Sequence, residues 1–181
     1  MITEKKRIIL KNGKEAVFKT AEISDAEKML SYIRQASGET DFLVRYPEEW
    51  TSSVSDEERW IKNFRESENV VNITCFIDGE IAGNCEICFR TGIKNSHLAG
   101  IGIAILRDYW NLGIGSLMFT YMIEAAKNRG TEIMELSCFS GNKRAQHLYE
   151  KFGFRTAAVK PNVYKLKDGS YQDEVYMQKI L

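Results

Sequence analysis

The sequence predicts an α/β fold (α+β by some conventions): a central mixed, mostly antiparallel sheet flanked by helices, with one parallel strand pair. Three observations lead there. Strand patterns are joined in pairs by Asn12-Gly13, Asp78-Gly79 and Asp168-Gly169, the residue pairs that a tight hairpin favours. Two amphipathic helical patterns separate the first hairpin from the second. The stretch 98–138 reads strand, glycine loop, helix, strand, which requires parallel pairing through a right-handed crossover.

In chain order, Lys6 to Lys11 and Glu15 to Thr20 flank the first turn. Ser24-Asp25-Ala26-Glu27 has capping-box spacing and opens a helix with Ala26, Met29, Leu30 and Ile33 on one face, ending near Gly38. Glu39 to Trp50 is a loop mixing acids and aromatics. Ser55-Asp56-Glu57-Glu58 repeats the spacing and opens a helix expected to bury Trp60, Ile61 and Phe64. Two successive helices between strands suit a lid or a pocket wall. Val70 to Ile77 and Glu80 to Arg90 flank the second turn; Ile81, Cys85, Ile87 and Phe89 share one face of the latter, Asn84 and Glu86 the other.

Leu98 to Leu106 is the next strand. Its odd positions, Ala99, Ile101, Ile103 and Ile105, form a largely β-branched face expected to pack the core, whereas Gly100, Gly102 and Ala104 leave the other face nearly bare. Glycine weakens a strand, so two of them imply close approach to the backbone. Helix 113–129 buries Ile114, Leu117, Met118, Tyr121, Met122 and Ala125, with Gly130 as its C-terminal cap. Strand Thr131 to Cys138 pairs in parallel with 98–106. A helix from Ser140-Gly141-Asn142 carries Ala145, Leu148, Tyr149 and Phe152 on one face and is closed by Gly153. Strand Phe154 to Val159 and, after the third turn, Tyr171 to Ile180 complete the sheet.

The 181 residues fit a single domain, 1–181, and 44% hydrophobic content supplies a core. Formal net charge is zero, without a basic block, which argues against nucleic acid as a partner while leaving room for a local phosphate pocket. Cys75, Cys85, Cys88 and Cys138 suit a reducing cytoplasm better than a disulfide framework. Cys85 and Cys88 lie three residues apart on a strand, face opposite ways and have no second ligand pair, so no metal site is expected. The apolar run Ile8-Ile9-Leu10 is too short for a signal peptide, and no stretch is long enough to span a membrane. A cytoplasmic location with no membrane partner follows as the expectation; a homodimer stays open.

The loop Arg107 to Gly115 leads into a helix whose first residues, Gly113 to Ser116, include no carboxylate. Free N–H groups and the positive dipole end there favour an anion, typically a phosphate. The glycines match neither G-x-G-x-x-G nor a P-loop, and nothing supplies metal or ribose ligands for a nucleotide. Trp110-Asn111-Leu112-Gly113-Ile114-Gly115 does resemble the acetyl-CoA loop of the GNAT N-acetyltransferase superfamily, Arg/Gln-x-x-Gly-x-Gly/Ala, with Trp at the position usually held by Arg or Gln. Asn142, Ala145, Leu148, Tyr149, Gly153 and Phe154 match that superfamily's Asn-x-x-Ala-x-x-Leu-Tyr-x-x-x-Gly-Phe in full. The closing DGSYQDEVYMQKIL is similar to the terminal hairpin of many members.

The resemblance implies an acetyl-CoA-dependent N-acetyltransferase moving an acetyl group directly to a primary amine, a peptide N-terminus or a small amine. The pantetheine arm is expected where the parallel strands 98–106 and 131–138 splay apart, on the backbone of Ile103 and Ile105. The pyrophosphate is expected on the amides of Asn111, Leu112, Gly113, Ile114, Gly115 and Ser116, with Asn142 near the pantetheine. Lys143 and Arg144 either reach a cofactor phosphate or form a solvated helix face. Tyr149 is the implied general acid; its bland alternative is packing.

Many members carry a glutamate near the position of Gly100, and none stands here. Glu86 is the chosen substitute base, His97 another candidate. Glu39 and Asp41 are placed in the acceptor pocket; Tyr171 and Asp173 border it or are plain strand residues. The competing class is a non-catalytic acyl-CoA sensor or interaction module, which the missing glutamate favours and Tyr149 opposes. Neutralising a lysine-like amine at pH 7 costs about 4.6 kcal/mol against roughly 1.4 for an α-amine, so the absence of an evident strong base leans towards α-amines.

Overall fold

The computed structural model describes residues 4–181. Among the described residues eight strands form one sheet in the order β1-β2-β3-β4-β5-β6-β8-β7. β1 (Lys6–Ile9) and β2 (Glu15–Lys19) are the first hairpin; α1 (Ala26–Gly38) and α2 (Val54–Glu66) follow. β3 (Val70–Ile77), β4 (Glu80–Phe89) and β5 (Leu98–Ile105) run antiparallel, then come α3 (Ile114–Asn128), β6 (Ile133–Phe139), α4 (Lys143–Lys151), β7 (Arg155–Lys165) and β8 (Tyr171–Ile180).

Each sheet face has its own core. On one, Cys85, Ile87, Met118, Phe119, Met134 and Phe154 are buried between the sheet and α3 and α4, with Ile101, Ile103 and Ile105 packed against them as expected. On the other, α1 and α2 bury Met29, Tyr32, Ile61 and Phe64. Ile81 belongs to this second core, contrary to the alternation that grouped it with Cys85. The cause is a β-bulge: Cys75 pairs with Gly83 but Phe76 with Ile81, so Ala82 is the extra residue and the faces exchange there.

Both capping boxes lie two residues earlier than the sequence suggested, at Glu22 and Ser53 rather than Ser24 and Ser55. Ser53 caps α2, its hydroxyl accepting from Asp56 N–H at 3.2 Å while the Asp56 carboxylate accepts from Ser53 N–H at 3.0 Å. A single 3₁₀ turn, Ile23–Asp25, precedes α1, and Asp25 reaches back to Glu22 N–H at 2.9 Å. An acidic residue three places on closes a box as well as glutamate does, so neighbouring frames compete. Trp60 is 40% exposed and only edges onto Phe64, at 4.8 Å between ring centroids, so it is a surface residue. β7 runs on to Lys165 through Pro161, which an edge strand tolerates at an irregularity, here between Lys160 and Tyr164.

The parallel junction fixes the site. β5 and β6 pair only over Leu98–Ile133, Ala99–Met134 and Gly100–Glu135, then separate. Leu106 N–H donates to Ala82 and Arg90 N–H to Leu98, so the even-numbered residues of β5 bond towards β4. The odd-numbered ones, Ile101, Ile103 and Ile105, therefore turn their peptide groups towards the gap.

Candidate active site

A cleft of about 1080 Å³ opens where β5 and β6 part. Its walls are the end of β5, the loop into α3, the end of β6, the start of α4, and the loop after α1. Asn111 and Gly113 both adopt left-handed backbone, with φ of 63° and 93°, which curls the loop into the helix start. The first turn of α3 carries no acid, so its unpaired N–H groups and positive dipole end face the cleft unneutralised. Gly115 packs tightly: a Cβ there would meet Leu148 at 3.0 Å and Ile105 at 3.3 Å, and those two side chains would have to give by a few tenths of an ångström.

Trp110 has a role its position in the motif did not reveal. Its indole N–H donates to the Ile105 carbonyl at 2.7 Å, while the Arg144 guanidinium lies 4.3 Å and that of Arg107 5.7 Å from its ring centroid. The Ile105 carbonyl is therefore engaged from within, and the Ile105 N–H together with Ile101 and Ile103 is what the strand edge offers to an added chain. Arg144 also donates to Asn111 at 3.1 Å, tying α4 to the loop. Asn142 caps α4 by accepting from Ala145 N–H at 3.1 Å and lines the cleft; Lys143 lines it too and donates to Gln146 at 3.3 Å.

Tyr149 is buried yet lines the cleft, beside Leu148 and Cys138. Its ring packs on Phe119 at 5.5 Å and Phe154 at 6.4 Å, so packing and a reactive hydroxyl coexist in one side chain. Burial, and secondarily the nearby Cys138, push its phenol above the ordinary tyrosine range. It is a neutral donor at physiological pH.

Glu86 lies on the bare face of β5, directly across from Gly102. Its Oε1 is 4.0 Å from where a Gly102 Cβ would sit, so the missing side chain leaves space for the carboxyl itself. Burial raises its pKa. The nearest groups to this glycine face are thus two side chains, Glu86 at Gly102 and Arg90 at Gly100, both at ordinary contact distance rather than in close approach. Glu86 is not itself among the residues lining the cleft; Gly102, across from it, does line the cleft and is exposed, so the carboxyl sits behind that bare position. The other acids separate clearly. Glu39 accepts from Arg107 N–H at 2.6 Å and from Gln35 at 2.9 Å, and Arg107 also binds its carbonyl, so its carboxylate is spent on clamping α1 to the loop into α3. Asp41 lines the cleft and is exposed. His97 lies at the far end of β5 beside Arg90 and Arg129, away from the cleft. Asp173 accepts from Asn162 N–H at 2.9 Å, and Tyr171 stacks under Lys165; neither reaches the cleft lining.

Sequence reasoning missed the aromatic group at the cleft's upper end. Phe139 stacks on Tyr164 at 3.8 Å and 17°, and Phe42 tilts onto Phe139 at 6.0 Å. The only signal was Phe42 within the mixed loop after α1. Among the described residues no group of His, Cys, Asp and Glu could hold a metal, the cysteines are free, and no helix is long and apolar enough to cross a membrane.

A splayed parallel pair with an acid-free helix start at its mouth and a buried tyrosine at its wall is the arrangement that the resemblance to acyl-group transferases implies. The model of the Acetyltransferase (GNAT) family matches residues 37–154, and the chain belongs to that family. It is 28% identical over 122 residues to the L-amino acid N-acetyltransferase AaaT of Escherichia coli K12, spanning 67% of this chain and 75% of that one. The GNAT-family acetyltransferase structure from Streptococcus pneumoniae superposes with a TM-score of 0.85 at 27% identity, over 92% of this chain and 99% of the other. The yncA protein of Salmonella typhimurium, solved with its cofactor acetyl-CoA, shares the fold with a TM-score of 0.78 at 17% identity, over 92% and 94% of the two chains.

Proposed function

We propose that this N-acetyltransferase transfers the acetyl group of acetyl-CoA directly to an α-amine, with the cofactor on the α3 loop, Glu86 as base and Tyr149 as acid. The separation of β5 from β6 after Gly100 carries the reading, because it exposes peptide groups to a ligand at the point where an acid-free helix start meets the cleft. The residues fit the cofactor. N–H groups from Asn111 to Ser116 suit its pyrophosphate, and the free edge of β5 suits the amides of its pantetheine. Its thioester supplies an acyl group activated for attack by an amine.

The chain's own groups then manage two protons. Glu86 takes the one the amine sheds as the C–N bond forms, and its raised pKa brings it closer to that task than an exposed carboxylate. Tyr149 gives one to sulfur as the C–S bond breaks and regains it from solvent. A buried phenol is a weak acid, so its contribution is a donor fixed in place more than a strong proton source. The test measures thiol release from acetyl-CoA with α-amines and with primary alkyl amines across pH. Turnover of α-amines near neutrality, reduced in Glu86→Gln at every pH, is expected. Clear preference for alkyl amines, unchanged in Glu86→Gln, removes Glu86 from the mechanism.

A further inference from the structure

Resting on that reading, we infer that the acceptor is an α-amine attached to a large apolar or aromatic side chain, seated against Phe42, Phe139 and Tyr164. The wall is built, held by contacts within it and at both ends of its loop. Phe139 and Tyr164 stack face to face, and the Tyr164 hydroxyl donates to Glu174 at 3.2 Å. Phe42 closes over Gly141, whose Cβ would stand 3.2 Å from the Phe42 ring and 2.7 Å from Gln172 Oε1. Gly141 is bare where the aromatic roof comes down, and its N–H donates to that Gln172 oxygen at 2.9 Å. The loop carrying Phe42 is tied at both ends: Glu39 to Arg107, and Tyr46 and Glu48 to Lys167 in the β7–β8 turn. Val44 in the same loop also lines the cleft and is 76% exposed, apolar surface left open at its mouth.

Charge points the same way. Of the two acids lining the cleft, Glu39 is occupied by Arg107 and Gln35, which leaves Asp41. The same lining holds Lys11, Arg107, Lys143, Arg144 and Lys151. Such a surplus of cations suits an anionic cofactor and repels a polyamine or a polycationic sugar. A single ammonium beside an apolar group is what Asp41 and Phe42, adjacent in one loop, are able to receive. Burying a phenyl ring favours it over hydrogen by about tenfold or more in kcat/KM.

The experiment measures thiol release from acetyl-CoA with L-phenylalanine, L-phenylalaninamide, the peptide Phe-Gly-Gly, glycinamide and spermidine, in wild type, Phe42→Ala and Tyr164→Ala. At least one phenylalanine acceptor is expected to exceed glycinamide and spermidine by about tenfold or more. The ratio should shrink to within about threefold in either variant, while the acetyl-CoA dissociation constant measured by calorimetry stays within about twofold. Turnover of free phenylalanine alone identifies an amino acid as the source, and turnover of Phe-Gly-Gly alone a peptide N-terminus; both uphold the inference. Glycinamide or spermidine turned over as well as the phenylalanine compounds overturns it and leaves acetyl transfer intact. A preference unchanged in both variants overturns the assigned wall. Absence of thiol release with every amine overturns the acetyl-transfer reading, and this inference with it.

Discussion

Placing a charge on Gly113 tests the cofactor loop most directly. The residue has φ of 93°, and a Cβ there would meet nothing within 4 Å, so a side chain is accommodated and only backbone strain is added. Asn and Asp tolerate left-handed backbone better than other residues and are nearly isosteric. Comparing Gly113→Asp with Gly113→Asn therefore cancels strain and volume and leaves the charge. A carboxylate about 5 Å from a phosphate charge repels it by roughly 0.8 kcal/mol at the dielectric of water and about 3 kcal/mol at an effective value near 20. The loop is partly exposed, which places the effect between those limits, a rise of roughly tenfold to a hundredfold in the acetyl-CoA dissociation constant. Calorimetry at low salt reads it, and the Asp/Asn ratio should narrow as ionic strength approaches about 1 M, where the screening length falls to about 3 Å. Equal constants for the two variants at low salt, with both folded, would show that no phosphate lies at this helix start.

Two further outcomes follow from other groups. Tyr149→Phe keeps the ring contacts with Phe119 and Phe154, so stability and acetyl-CoA affinity should hold while kcat drops by the ~10²–10⁴-fold typical of a lost general acid; single-turnover rates equal to wild type would make the tyrosine a packing residue. Glu57, 8% exposed on α2, has its pKa raised by burial from 4.5 to about 7. A folded-state value above the unfolded one means that the contribution is fully present below pH 4.5 and is lost as pH rises through 7, so Glu57→Gln should gain in melting temperature relative to wild type between pH 5 and pH 8. The full shift is worth about 3 kcal/mol, and contact of the carboxyl with water and with the α2 N-terminal dipole reduces this to roughly 1–2. A pH-independent difference between the two proteins refutes it.

The sequence by itself determined whatever depends on local pattern. Asn12-Gly13, Asp78-Gly79 and Asp168-Gly169 turn the chain where they stand because glycine adopts positive φ cheaply, as Gly13, Gly79 and Gly169 all do, joined by Asp78 in the second turn. The acid-free start of α3 and the run from Asn142 to Phe154 marked two segments that line the cleft, since a fixed spacing on a helix fixes a face. Tertiary structure decided the rest. No local signal places an extra residue at Ala82, yet that bulge moves Ile81 from one core to the other. Glu39 and Asp41 look alike in the chain; only the fold brings Arg107 onto the first and leaves the second facing the cleft. Trp110 departs from the family pattern in sequence, and its reason appears only when Ile105 and Arg144 arrive at its edge and face. The aromatic wall joins Phe42, Phe139 and Tyr164 from three distant segments. Periodicity reports which way a side chain points along its own element, whereas contact between elements depends on where the sheet opens, and that is set by β5 and β6 parting after Gly100.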